Sequence, residues 1–222
     1  MRRFLREHSL SIVTLTAFLA IWLGGQTWAG HRAFNEEQRA HGEPAVGFGE
    51  YVTSAHFGEA TFENWESEFL EMGVYVVLTG WQVQRGSAES TPPGGDPALE
   101  EDPRRHRDDP DAPWPVRQGG WVLRVYENSL GLALLGLFLL ALTGHLVTGT
   151  HAFNAEQLAH GEAQVSTLGY LMRSRFWFES LQNWQSEFLA VGTIVVLSVY
   201  LRQRGSAESK PVHEAHHATG AD

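Results

Sequence analysis

Apolar residues cluster along this chain in four stretches separated by polar segments. The first runs from about Ser9 to Trp28 and is interrupted past Ser11 only by Thr14, Thr16 and Gln26. The third, Ser129 to Val147, is dominated by Leu, Ala and Gly. Each approaches the ~20 residues that a helix needs to cross a hydrocarbon layer about 30 Å thick. The second, Trp65 to Val83, carries Glu66, Glu68 and Glu71 near its start, and the fourth, Trp184 to Leu201, carries Glu187. Uninterrupted apolar runs of about 13–14 residues, taken singly, would suit a buried helix of a soluble protein. Between these stretches lie two polar connections of similar length, residues 30–64 and 149–183.

The stretches pair through an internal repeat. His41–Ser90 aligns without a gap on His160–Ser209 at an offset of 119, with 23 identical positions out of 50. Both copies end in QRGSAES, at Gln84–Ser90 and Gln203–Ser209. The repeat favours a membrane reading for all four stretches. It predicts an all-α membrane protein with four transmembrane helices (about 9–28, 65–83, 129–147 and 184–201). These form two pseudo-symmetric helical hairpins with interfacial helices in the external loops. Residues 1–90 make the first repeat and 119–209 the second. Residues 91–118 hold seven of the nine prolines and the charged run EEDPRRHRDDPD. They read as a disordered linker, and 210–222 as a disordered tail.

The repeat also bears on the first stretch, whose basic Met1–Arg6 flank resembles a signal peptide. Its counterpart lies mid-chain, and both begin Glu-x-Ser-Leu (Glu7–Leu10, Glu127–Leu130), so the expectation is an uncleaved span. Twelve of the 16 Lys and Arg residues precede span one, lie between spans two and three, or follow span four. The positive-inside bias then places both termini and the linker in the cytoplasm, in a bacterial inner (plasma) membrane. The two hairpins are parallel, related by an axis along the membrane normal, unlike the inverted repeats of many transporters.

Composition narrows the chemistry. The mean hydropathy of −0.22 averages over clustered apolar residues and so conceals the spans. A net charge of −10 makes nucleic acid a poor partner. With no cysteine, disulfides, thiolate metal sites and thiol catalysis are excluded. No motif calls for a cofactor. The expected partners are the lipid bilayer and either a second copy or another membrane protein.

The external connections open with HRAFNEEQRAHGE (His31–Glu43) and HAFNAEQLAHGE (His151–Glu162). Their Ala, Gln, Glu and Arg content continues the preceding helix, and Gly42 and Gly161 stop it. Aromatic residues interleaved with polar ones at Gly49–Asn64 and Leu168–Asn183 suit an amphipathic interfacial segment. Asn64 and Asn183, each before a Trp, read as N-caps of the following span. The combination FNxEQxxHGE, then NWxSEFL, then QRGSAES resembles a family of small bacterial integral membrane proteins of unknown function. The resemblance covers both repeats and implies membrane insertion, without implying an activity.

Two sets of repeated polar residues are candidate sites. Glu37 and His41, like Glu156 and His160, stand four apart on a helix, with carboxylate and imidazole on one face where they could share a metal ion. The plainer alternative is a solvated helix pair. Glu68 and Glu187, next to Asn64 and Asn183 at the membrane entry, are costly in lipid unless paired or wet. They could handle protons or ions, or simply face the positive end of a helix dipole. His145, deep in span three, lacks a second buried His for haem ligation. No nucleophile–base pair or phosphate loop marks an enzyme. The expected function is a non-enzymatic structural or partner-binding four-helix unit. The alternatives are a small ion or proton-coupled transporter using Glu68 and Glu187, or a membrane-surface metal-binding protein using Glu37/His41 and Glu156/His160.

Overall fold

A computed structural model describes residues 2–220. Among these residues every regular element is a helix and no strand occurs. Four helices are long: α1 (Ser9–Ala40), α2 (Ala55–Thr79), α3 (Ser129–Ala159) and α4 (Ser174–Tyr200). Two of them, α1 and α3, are long and apolar enough to span a membrane. Only 6% and 11% of their most apolar stretches is buried within the chain. A helix at the core of a soluble protein would be mostly covered; here Leu132, Leu135, Leu137, Leu139 and Leu140 of α3 are all exposed. That apolar surface needs an apolar medium, which associates the chain with a membrane.

Helices α1 and α3, at 32 and 31 residues, extend about 48 Å at 1.5 Å per residue, well beyond the hydrocarbon thickness. They therefore carry HRAFNEEQRA and HAFNAEQLA as continuous helix, as the repeated motif predicts. Both end in the same way. Gly42 and Gly161 adopt φ of 80° and 72°. The next amide, Glu43 or Glu162, donates back to Gln38 or Gln157 at 2.8 Å. These are Schellman stops, in which the left-handed residue is glycine because it lacks a Cβ. Within α1, Ala20–Gln26 widens into a π-helical stretch holding Gly24 and Gly25.

The helices that hold the second and fourth apolar stretches differ from expectation at their starts. Helix α2 begins at Ala55, where Ser54 Oγ accepts from the Phe57 amide at 3.2 Å, and α4 begins at Ser174. Asn64 and Asn183 thus lie well inside helices and cap nothing. The amphipathic segments do not form separate helices, because nothing between residues 55 and 65 interrupts the α-helix. Phe48–Val52 and Thr167–Leu171 stand as short helices ahead of α2 and α4.

The chain forms two compact units, each taking a piece of both repeats. The first comprises Met1–Thr61 and Gly144–Leu171. Tyr51 and Tyr170, twins in the repeat, are buried here. Gly30 admits the Tyr51 hydroxyl, and Gly149 admits the Tyr170 ring. Trp22 and Gln26, around the π stretch, both donate to Thr61 Oγ1 at 3.4 Å.

The second unit comprises Phe62–Thr143 and Met172–Asp222. Its interior is rich in polar and small groups, with Glu66, Ser67, Glu71, Ser87, Ser198 and Lys210 all buried. A Cβ added at Gly73 of α2 would lie 3.5 Å from Leu134 of α3, and one at Gly131 of α3 lies 3.7 Å from Val77. Small residues permit this close helix approach. Phe138 of α3 meets Trp184 of α4 edge-on at 6.3 Å. The linker holds the short helices Pro97–Glu100 and Trp114–Gln118 and a 3₁₀ turn at Pro103–His106. The tail, expected to be free, folds back onto the first QRGSAES block through Lys210.

Candidate functional site

Three sets of repeated residues are candidates. The Glu–His pairs come first. His41 follows the last residue of α1, and its Nδ1–H donates to the Glu37 carbonyl at 2.9 Å. His160 repeats this on Glu156 at 2.8 Å. Each imidazole thus adds a second hydrogen bond to a carbonyl that already accepts the backbone amide of the same histidine, at 3.1 and 3.2 Å. The Glu37 carboxylate acts electrostatically on His56, whose ring lies 5.1 Å from that of Phe34. Burial pushes the His56 pKa down and Glu37 opposes that shift. Among the described residues no three His, Asp or Glu side chains gather closely enough to hold a metal ion.

Asn64, Glu68, Asn183 and Glu187 lie in the second unit. Glu68 and Glu187 are near enough to repel each other, and Glu71 lies within reach of both. Glu68 is exposed and Glu187 half-buried, whereas Glu66 and Glu71 are buried. Asn183 donates to Glu63 Oε1 at 2.6 Å, and the Trp184 indole donates to Glu66 Oε1 at 3.1 Å. Ser67 and Ser186 bond back to the carbonyls of Asn64 and Asn183 at 2.8 and 2.7 Å. The polar patch is therefore wider than the four residues singled out from sequence, and Glu66 and Glu71 hold its buried positions. Their counterparts in the repeat are Gln185 and Ala190, so a search for repeated acids passes over them.

Other repeated residues prove to be structural staples. Asn35 clamps Val46, accepting from its amide at 2.7 Å and donating to its carbonyl at 3.1 Å. Asn154 makes the same pair with Val165, at 2.8 and 2.9 Å. The repeated Asn of FNxEQ and the repeated Val were the available signal. The QRGSAES blocks form the same loop twice. The Gln84 amide donates to Ser90 Oγ and that of Gln203 to Ser209 Oγ, both at 2.9 Å. The Glu89 and Glu208 amides donate to Ser87 and Ser206 Oγ, both at 3.1 Å. Gly86 and Gly205 take the positive φ that each turn requires.

The first loop docks on α4 through a buried 2.8 Å bond between the Ser87 and Ser198 hydroxyls. It also receives the tail. Lys210 is 1% exposed, and its Nζ donates to the carbonyls of Gly86, Ala215, His216 and Ala218. Three N–H donors are shared among four dipoles, with no carboxylate in the cage. Burial and the neighbouring Arg202 push the ammonium pKa down, and Glu214 offsets part of this. No sequence signal links Lys210 to Gly86, 124 positions away.

No curated protein and no solved structure matches the chain significantly. Its relationship is visible at the family level: with residues 1–221 matched by the family model, the chain belongs to the family described as Domain of unknown function (DUF6766).

Proposed function

We propose that this is a four-span integral protein of the inner membrane, a non-enzymatic structural or partner-binding unit. In this reading α1 to α4 make two parallel hairpins, with both termini and the linker cytoplasmic. The supporting observation is the use of the repeated residues. Asn35 and Asn154, the HGE stops and the QRGSAES loops each make the same internal bonds in both copies. Repeated polarity is spent on holding loops in shape. Exposed Leu and Val along the spans face lipid, a second copy or another membrane protein. The acidic balance disfavours nucleic acid.

The chain lacks cysteine, so single introduced thiols report topology directly. An impermeant thiol reagent applied to intact spheroplasts is expected to label Ala163→Cys in the external loop and to spare Ala98→Cys in the linker. Labelling of Ala98→Cys, or of both, would overturn this topology.

A second reading, a proton or cation path, is favoured by the closeness of Glu68 and Glu187 beside buried Glu71. Acids within a span are costly unless they pair or meet water. Liposomes carrying the wild type would then pass protons or monovalent cations at least tenfold faster than liposomes carrying Glu68→Gln/Glu187→Gln. Wild-type flux at the level of empty liposomes ends this reading. Nothing in the geometry of Glu37, His41, Glu156 and His160 favours a metal-binding role.

A further inference from the structure

The two QRGSAES loops share a sequence and a conformation, but only the first is filled. Gly86 and Gly205 take φ of 89° and 83°, and the serine bonds within the two loops match. In the first loop the tail makes three contacts. The Thr219 hydroxyl oxygen accepts from the Gly86 amide at 2.9 Å. The Lys210 ammonium donates to the Gly86 carbonyl, and the Gly220 amide donates to the Ser87 carbonyl at 2.9 Å. An oxygen acceptor and an ammonium donor thus meet on one glycine, and Gly86 and Ser87 are buried.

In the second loop the same three backbone groups are open. Gly205 is exposed, and a Cβ built on it meets nothing within 4 Å. Among the described residues no hydrogen bond reaches the Gly205 amide, the Gly205 carbonyl or the Ser206 carbonyl. Residues 203–207 and 209–213 line a cavity of about 660 Å³, within the roughly 300–1,000 Å³ of small-molecule sites. Arg204 and His213 contribute to the lining and no Asp or Glu does. Arg204 is exposed and unpaired among the described residues. The Lys210 ammonium is engaged on the carbonyls of the first loop and the tail.

A ligand for this loop carries what the tail carries, an oxygen acceptor close to an ammonium donor. The free guanidinium of Arg204 favours an anionic oxygen. Ethanolamine phosphate holds both groups on a two-carbon bridge. We propose that the second QRGSAES loop binds an ethanolamine phosphate group. The Gly205 amide and Arg204 donate to the phosphate, and the ammonium donates to the carbonyls of Gly205 and Ser206. Its source is the headgroup of a membrane lipid, phosphatidylethanolamine. Helix α4 ends at Tyr200, and exposed Tyr200 and Leu201 separate it from the loop. That sets the loop at headgroup level with an apolar shelf for acyl chains. The lipid source rests on the four-span reading, whereas the headgroup chemistry does not.

The test reads hydrogen exchange at the Gly205 amide of the full chain in phosphatidylcholine nanodiscs. Phosphatidylethanolamine mixed in well above its dissociation constant should slow exchange by about tenfold. Gly86, already held by Thr219, should not change. Phosphatidylglycerol, which keeps the phosphate and lacks the ammonium, should give no such protection. The trimethylated ammonium of the phosphatidylcholine background has no N–H to donate. Arg204→Gln should raise the amount of phosphatidylethanolamine needed by about tenfold, the loss of one charge-assisted hydrogen bond. Arg85→Gln, in the filled loop, should leave it unchanged. Dissolved phosphoethanolamine should also protect Gly205 in the detergent-solubilised chain, whether or not α4 spans a membrane. Protection by the dissolved headgroup but not by the lipid would overturn the membrane source and keep the site. Protection by neither would overturn the site itself. So would equal protection by phosphatidylglycerol, an unchanged requirement in Arg204→Gln, or stronger protection by a synthetic peptide of residues 210–220, which would make the loop a peptide site.

Discussion

Gly30→Ala is expected to be among the most destabilising single substitutions in the first compact unit. A Cβ at this position would overlap the Tyr51 hydroxyl oxygen and lie 3.0 Å from its ring carbon. Tyr51 is 2% exposed and packs against the rings of His31, Phe34, His56 and Phe57. The ring cannot retreat without displacing them, so the α1 backbone or the short Phe48–Val52 helix must shift. Overpacking of this kind costs about 1–3 kcal/mol, and the size of the overlap argues for the upper end. Gly149→Ala meets the Tyr170 ring at 2.9 Å and should cost less. Gly136, with nothing within 4 Å of its Cβ position, is the control: Gly136→Ala should be neutral or slightly stabilising. Thermal unfolding in detergent ranks the three. Adding Tyr51→Phe to Gly30→Ala should recover part of the loss by removing the clashing oxygen. Equal melting of Gly30→Ala and wild type would mean that Tyr51 is not seated against Gly30.

Lys210→Met should release the tail. The substitution keeps the length of the side chain and removes the charge, leaving the carbonyls of Gly86, Ala215, His216 and Ala218 without their common donor. Hydrogen bonds to a charged group contribute about 1.5–3 kcal/mol each. Part of this is returned when the freed carbonyls meet water. A net loss of ~2 kcal/mol corresponds to roughly thirtyfold in the opening equilibrium. Two amides report it, because Gly86 donates to Thr219 Oγ1 and Gly220 to the Ser87 carbonyl, both at 2.9 Å. Their hydrogen-exchange protection should fall by that factor, while protection at Val46 and Val165, held by the Asn clamps, stays unchanged. Undiminished protection at Gly86 and Gly220 would show that the tail is held by other contacts.

Local signals read well from the residues. The Leu-rich run of Ser129 to Val147 and the glycine stops at Gly42 and Gly161 depend on neighbours a few positions apart, and the structure reproduces them. The starts of α2 and α4 were misleading because Asn followed by Trp and an apolar run imitates a capped entry. The decisive feature is the unbroken helix-forming run behind it, back to Ala55 and Ser174. The Asn35–Val46 clamp spans 11 residues and needs the turn between them, so spacing alone does not announce it. Glu66 and Glu71 have Gln185 and Ala190 as their counterparts, so repetition does not mark them. The Lys210–Gly86 and Ser87–Ser198 bonds join residues more than 100 apart, where no periodicity carries information.

The interleaving of the two repeats has a consequence for biogenesis. The first compact unit joins Met1–Thr61 to Gly144–Leu171. On the ribosome its early half must wait until Leu171 has been made. That is about 110 residues of further synthesis, on the order of 5–20 s at 5–20 residues per second. Through that interval Tyr51 and the Asn35 clamp can form, while the partners from the second repeat do not yet exist. The early part of this unit, Met1–Thr61, therefore waits incomplete, and the proline-rich stretch between the repeats is synthesised while it waits.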